Sequence, residues 1–268
     1  MIAVLALVLC ATAPAAAHAG NPAGSPDRKA AAGARKIAIV IDDFGNDMKG
    51  TEQMLKLPIK LTVAVMPFLP TTKKDAKEAH RLGHDVIVHM PMEPVRGKKS
   101  WLGPGAITTD LTDEEIRKRV DAAIDNVPYA IGMNNHMGSK ATADRRVMKA
   151  VLETCKKRGL FFLDSRTSYR TVVSKVAEEV GIVALHNDVF LDDVYTQHHV
   201  MKQIGEVKKL LATRESCIAI GHVGPSGIPT SSALRQSIPE LLGKADFVPI
   251  TRLLPLPEAF TGQGHTAR

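Results

Sequence analysis

Asp42 and Asp43 stand side by side directly after the apolar run Ile39-Val40-Ile41. Adjacent residues on a strand point to opposite faces. Where a strand ends the chain turns, so both carboxylates can reach one surface in different roles. One can bind a metal ion while the other holds a water; the competing reading is that one of them caps a following helix. His89 and Glu93, in HDVIVHMPMEP (84–94), are four apart, a spacing that sets two ligands together on a turn. Imidazole and carboxylate donors suit zinc and other divalent cations. His136 lies in GMNNHMGS (132–139), among Asn and Gly rather than apolar residues, the setting of a polar loop at a site. His222, in IAIGHVGP (218–225), follows an apolar run and precedes Gly-Pro, a position suited to proton transfer.

The elements that must position these side chains alternate regularly. Apolar, β-rich runs fall at 36–44, 60–68, 85–92, 130–138, 160–167, 181–192, 217–225 and 247–254. Helical patterns lie between most of them, such as 111–127 and 144–159. In the first, Thr112 precedes Glu115 by three residues, a capping-box signature. In the second, Val147, Ala150, Val151, Leu152 and Cys155 recur at helical spacing and Gly159 ends the helix. Strands that read as near-continuous apolar runs, separated by helices, imply a parallel sheet covered by helices. Seven to eight such units predict one distorted parallel (β/α) barrel rather than an open doubly wound sheet. No GxGxxG follows the first run, which removes the simplest dinucleotide-binding reading. Polar residues recur at the C-terminal ends of the runs: Asp42, Asp43, His89, Glu93, Asn134, Asn135, His136, Asp164, Ser165, Asp188, Asp192 and His222. In α/β barrels these ends converge on one face, where active sites are built. A lone histidine after a strand is an ordinary structural residue; the same pattern in five or six units is not.

The chain has 268 residues, 44% hydrophobic, enough for a sizeable core. Residues 1–19 are apolar and then small, and Ala17-His18-Ala19 fits a signal-peptide cleavage site, so export to the periplasm or cell envelope is expected with Gly20 first in the mature chain. The run is too short and Ala-rich for a membrane span, and no integral membrane segment is expected in the mature protein. Residues 20–35 read as a flexible linker, 36–255 as one domain and 256–268 as a loose tail. Cys155 and Cys217 read as two separate buried thiols. The net charge of +7 would favour anionic envelope polymers or lipid head groups, although paired basic residues beside helical patterns also read as solvated helix faces. Aromatics make up only 4% and no recognition motif is present, which argues against nucleic-acid binding. Trp101, in a Gly/Pro loop, reads as either a wall of a sugar cleft or a loop anchor.

Three phrases carry a family resemblance. Ile41-Asp42-Asp43 resembles the aspartate pair that ends the first strand of polysaccharide deacetylases. Gly83-His84-Asp85 leads to His89, which resembles their first metal histidine, and Ile220-Gly221-His222 resembles their last motif. HMPMEP, NNHMGS and DVFLD are similar to the divergent branch of that group, and the resemblance spans about residues 36–254. It implies a carbohydrate deacetylase with one divalent metal ion, zinc by default, held by Asp43, His89 and either Glu93 or His136. It further implies Asp42 as the base, His222 as the acid, Asp164 as an orienting group and an envelope glycan as substrate. Glu93 stands where the family has its second metal histidine, and Asn134-Asn135-His136 replaces an arginine loop that orients the catalytic aspartate. A glycan- or partner-binding protein that retains the fold, or a metal phosphoesterase using the same cluster, are the competing expectations.

Overall fold

A computed structural model describes residues 35–255. The expected signal peptide, nearly all of the linker and the 256–268 tail lie outside the described residues. The strands are β1 (Lys36–Phe44), β2 (Thr62–Val65), β3 (Asp85–Met92), β4 (Ala130–Met137), β5 (Phe161–Asp164), β6 (Ala184–His186), β7 (Val189–Phe190), β8 (Ser216–His222) and β9 (Asp246–Phe247). The helices are α1 (Thr51–Leu55), α2 (Thr72–Arg81), α3 (Asp113–Asn126), α4 (Arg145–Lys157), α5 (Val173–Val180), α6 (Gln197–Thr213) and α7 (Gly227–Leu242). Every strand pairing is parallel, in the order β6-β5-β4-β3-β2-β1-β8-β7, with β9 beside the start of β1. The expected barrel is thus a curled parallel sheet with interleaved helices.

Two expected runs break. The 181–192 run splits into β6 and β7, which pair with β5 and β8 at opposite ends of the strand order. The step between them is Asn187-Asp188, whose N–H groups donate to Asp164 and Ile218 carbonyls respectively. The chain itself therefore joins the two edges of the sheet. The 247–254 run is mostly not strand: Pro249 has no N–H to give a ladder, and residues Ile250–Leu253 form a 3₁₀ turn.

Period-two alternation sorts the strand residues into two cores. Ala38, Val40, Ala64, Ile87, Phe161, Leu163, Ile218, Ile220 and Ile250 fill the inside of the curl. Ile37, Ile39, Ile41, Val63, Val65, Val86, Val88 and Phe162 face the helices in the larger core. The expected capping box is present: Thr112 accepts from the Glu115 N–H and Glu115 reaches back to the Thr112 N–H. Gly159 ends α4 with a left-handed φ of 73°. Cys155 and Cys217 are free, buried thiols. Among the described residues, no helix is long and apolar enough to cross a membrane.

Candidate metal and catalytic site

The interior face of each strand leads to the mouth. Following the alternation of Ala38 and Val40 brings Asp42 inward, Ile87 leads to His89, and Ile218 and Ile220 lead to His222. Asp42 and His222 are register partners on β1 and β8; His89 and Asn134 are register partners on β3 and β4. Between β1 and β3, β2 contributes the small Ala64 to the interior. His89 Nε2 approaches Asp42 Oδ2 to 3.6 Å. Asp43 has the wrong parity for the interior. A register shift between Ile41 and Phe44 corrects this, with Asp43 at a left-handed φ of 69°. Such a bulge re-aims a side chain at a strand end, and aspartate tolerates that conformation better than most residues.

Asp43 Oδ1 then lies 3.2 Å from His89 Nε2 and 3.0 Å from His136 Nδ1, and those two nitrogens are 3.2 Å apart. Both imidazoles have their protons placed elsewhere. Asn134 donates through Nδ2 to Asp42 Oδ1 at 2.9 Å, which turns its oxygen toward His89 Nδ1 at 2.7 Å. A carboxamide oxygen only accepts, so Nδ1 carries the proton and Nε2 presents a lone pair. His136 Nε2 is 3.0 Å from the Trp101 carbonyl, which leaves Nδ1 as its lone-pair nitrogen. Asp43 Oδ1 is buried with no hydrogen-bond donor among the described residues. Three acceptor atoms that face one another at contact distance call for a cation among them. One oxygen and two nitrogens within 4.8 Å of one another form a zinc-type donor set.

Beside this cluster lie two groups of opposite character. Asp42 is buried, and desolvation together with the neighbouring Asp43 raises its carboxyl above the usual range despite His89, His222 and Asn134. His222 donates through Nδ1 to Asp192 Oδ1 at 2.7 Å. Asp192 Oδ2 also accepts the His222 N–H at 2.8 Å and the Thr230 hydroxyl at 2.7 Å. Burial opposes protonation of His222, but Asp192, joined by the charges of Asp43 and Asp42, outweighs it and the ring is pushed up to about 9. Its side chain remains 28% exposed, and Nε2 has no hydrogen-bond partner among the described residues. The pairing of a raised carboxyl with a protonated, half-buried histidine is an acid–base arrangement.

Two residues named by resemblance fall outside this group. Of the two alternatives for a third ligand, His136 lies with Asp43 and His89 and Glu93 does not. The Glu93 carboxylate is occupied by the Thr109 N–H and hydroxyl, both at 2.7 Å, and by Lys140 at 2.7 Å, so it ties loops together. Asp164 shares the parity of Phe162 and so leaves the interior to its neighbour Ser165. It accepts the Arg166 N–H at 2.8 Å and the Thr171 hydroxyl at 2.7 Å, and holds neither Asp42 nor His222. Asn134 contacts Asp42 and Asp192 contacts His222 instead. Strand-end position had marked both, but nothing in the sequence paired Asp192 with His222, which lies 30 residues on. A cavity of about 1250 Å³ lies elsewhere, lined by residues such as Met48, Leu55, Leu57 and Ile228.

Fold and site together define a class: a parallel barrel with an Asp/His metal-type cluster at the C-terminal mouth of its sheet, the architecture of carbohydrate deacetylases. The family model for divergent polysaccharide deacetylases matches residues 39–254, and the chain belongs to that family. It is 36% identical over 228 residues to the uncharacterized protein YibQ of Escherichia coli K12, covering 85% of this chain and 70% of that one. Among solved structures it is similar to the uncharacterized protein ATU2773 of Agrobacterium tumefaciens C58 (TM-score 0.75, 19% identity, 82% of this chain and 89% of that one). It is also similar in fold to the catalytic domain of a peptidoglycan N-acetylglucosamine deacetylase of Eubacterium rectale (TM-score 0.51, 16% identity, 84% and 92% covered).

Proposed function

We propose that this protein is a metal-dependent hydrolase that removes N-acetyl groups from a glycan of the cell envelope, with one divalent cation, zinc by preference. The observation that carries this reading is the convergence of three lone pairs, from Asp43, His89 and His136, beside the buried Asp42 carboxyl and the His222–Asp192 pair. Asp43, His89 and His136 would hold the cation, which when bound supplies Lewis acidity toward an amide carbonyl and a water. Asp42 Oδ1 is taken by Asn134, so the proton of the attacking water goes to Asp42 Oδ2. Its raised pKa makes it a stronger base than an ordinary carboxylate. His222 Nε2 gives its proton to the departing amine, and acetate and a free amino sugar result. Asn134 supplies a neutral orienting contact to Asp42, the task the arginine loop has in the wider group. The deciding measurement is acetate release from N-acetylglucosamine oligomers by metal-loaded protein. If loaded protein binds such oligomers, releases no acetate, and binds equally well as Asp42→Asn, it is a glycan-binding protein.

In this mechanism His222 must be protonated, and Asp192 contributes most to keeping it so. Its folded pKa of about 9 means that turnover falls as pH rises through about 9. Asp192→Asn removes the largest raising contribution, so that limb moves toward the ordinary histidine value of about 6.5. A pH–rate profile of the two proteins checks this, and coincident alkaline limbs would exclude Asp192 from the acid's environment. We also propose that the chain is exported and begins near Gly20, on the strength of Ala17-His18-Ala19. Intact mass of envelope-fraction protein tests that, and an uncleaved cytoplasmic product would sink it.

A further inference from the structure

The rim of the mouth is built unevenly. Two loops, 93–104 after β3 and 165–171 after β5, flank the end of β4 and are both seated on it. From the first, the Val95 N–H donates to Ser139 Oγ, and the Glu93 carbonyl accepts the Lys140 and Ala141 N–H groups. From the second, Thr167 donates to the Met137 carbonyl and the Ser165 N–H donates to Asn135 Oδ1. Each loop reaches the site directly: the Trp101 carbonyl meets His136 Nε2 at 3.0 Å, and Ser165 Oγ lies 3.4 Å from Asn134 Nδ2.

These loops carry exposed cations and rings together. Trp101 is 59% exposed and Tyr169 91% exposed. Lys98 Nζ sits 5.5 Å from the Trp101 ring centre and Arg170 sits 5.6 Å from that of Tyr169. Arg96 and Arg166 are exposed on the same two loops. None of Arg96, Lys98, Arg166 and Arg170 has a carboxylate partner among the described residues. Other surface cations, such as Lys56, Arg81, Lys118, Arg145 and Arg158, are paired with acidic neighbours; what distinguishes these four is that they gather with two exposed rings on loops at the mouth.

The second loop is also held rigidly. The buried Asp164, which has no part in the acid–base pair, accepts the Arg166 N–H through Oδ1 and the Thr171 hydroxyl through Oδ2. One carboxylate thereby staples both ends of the loop. Arg166 has a left-handed φ of 54°, a conformation uncommon for arginine. Aromatic faces stack on the apolar faces of sugar rings, and unpaired guanidinium and ammonium groups bind carboxylates or phosphates.

Resting on the deacetylase reading, we infer that the substrate is an acidic glycan, with anionic groups on the sugars next to the N-acetylated one, read by the 93–104 and 165–171 loops. Asp164 is the positioning residue of that edge. The +7 net charge of the chain adds long-range attraction for such a polymer.

Binding and turnover are measured separately on the full chain with zinc added. The acidic probe is a hyaluronan-type hexasaccharide, in which uronate alternates with N-acetylglucosamine; the neutral probe is chitohexaose. Calorimetry is expected to show tighter binding of the acidic probe, with the preference shrinking as salt rises. Arg166→Gln with Arg170→Gln is expected to weaken acidic binding about tenfold, as the loss of two exposed charge contacts would, and to leave chitohexaose binding and zinc content unchanged. Asp164→Asn is expected to weaken the acidic probe in the same direction, again with zinc retained. Equal affinity for the two probes, or equal loss on both in the arginine double variant, overturns the proposal. Binding to phosphatidylglycerol vesicles that depends on these arginines, with no binding of the acidic hexasaccharide, overturns it in favour of a membrane surface. Preference for the acidic probe without acetate release would sustain acidic-glycan recognition while the deacetylase reading fails.

Discussion

Asp42→Asn is expected to lower acetate release by about 100- to 10,000-fold, the contribution of a positioned general base, while the protein keeps its zinc. The geometry supports this separation. Asp42 touches the cluster only at 3.6 Å, through His89 Nε2, and is not one of the three converging ligand groups. An asparagine at 42 can still accept the Asn134 N–H with its oxygen, so Asn134 stays turned toward His89 and the ligand tautomer is preserved. What disappears is the raised carboxyl that burial and Asp43 create. Steady-state turnover and metal content are measured on the same preparation. Turnover within a few-fold of the parent protein would remove Asp42 from the chemistry. Loss of zinc together with turnover would show that it is a ligand instead.

His89→Ala has the second large effect, and on a different quantity. It deletes the nitrogen that faces Asp43 Oδ1 at 3.2 Å and is expected to weaken zinc binding by at least about 100-fold. Truncating a residue that only orients a ligand typically costs about 10- to 100-fold. Asn134→Ala should fall in that smaller range, because it removes the acceptor that fixes the His89 proton on Nδ1. Glu93→Gln should leave zinc content unchanged, since the Glu93 carboxylate is engaged by Thr109 and Lys140. Titration with a competing chelator ranks the three variants. Equal zinc affinity in His89→Ala and the parent would refute the site, and loss in Glu93→Gln would move the third ligand from His136 to Glu93.

Much of this was legible in the sequence because strand periodicity is local. The alternation of Ala38, Val40 and Asp42, or of Ile218, Ile220 and His222, follows from the backbone pleat alone. The repetition of polar residues at strand ends marked one face of a parallel barrel before any contact was known. The Thr112–Glu115 capping box was readable for the same reason, since its partners are three residues apart.

Tertiary structure decided the rest, wherever the outcome hung on partners far apart in the chain. His136 rather than Glu93 meets Asp43 because Lys140 and Thr109 draw Glu93 aside, 47 and 16 residues away. Asp43 reaches the mouth through a bulge against β2 that parity argues against. The same parity rule, applied to β5, turns Asp164 toward the helix layer, where Arg166 and Thr171 claim it. Asp192 becomes the partner of His222 because β7, split from β6, pairs with β8. A sequence determines which residues share a strand face, since that needs only the geometry of one strand. Which acceptor each histidine proton meets depends on the register between strands, and the packed barrel alone sets that.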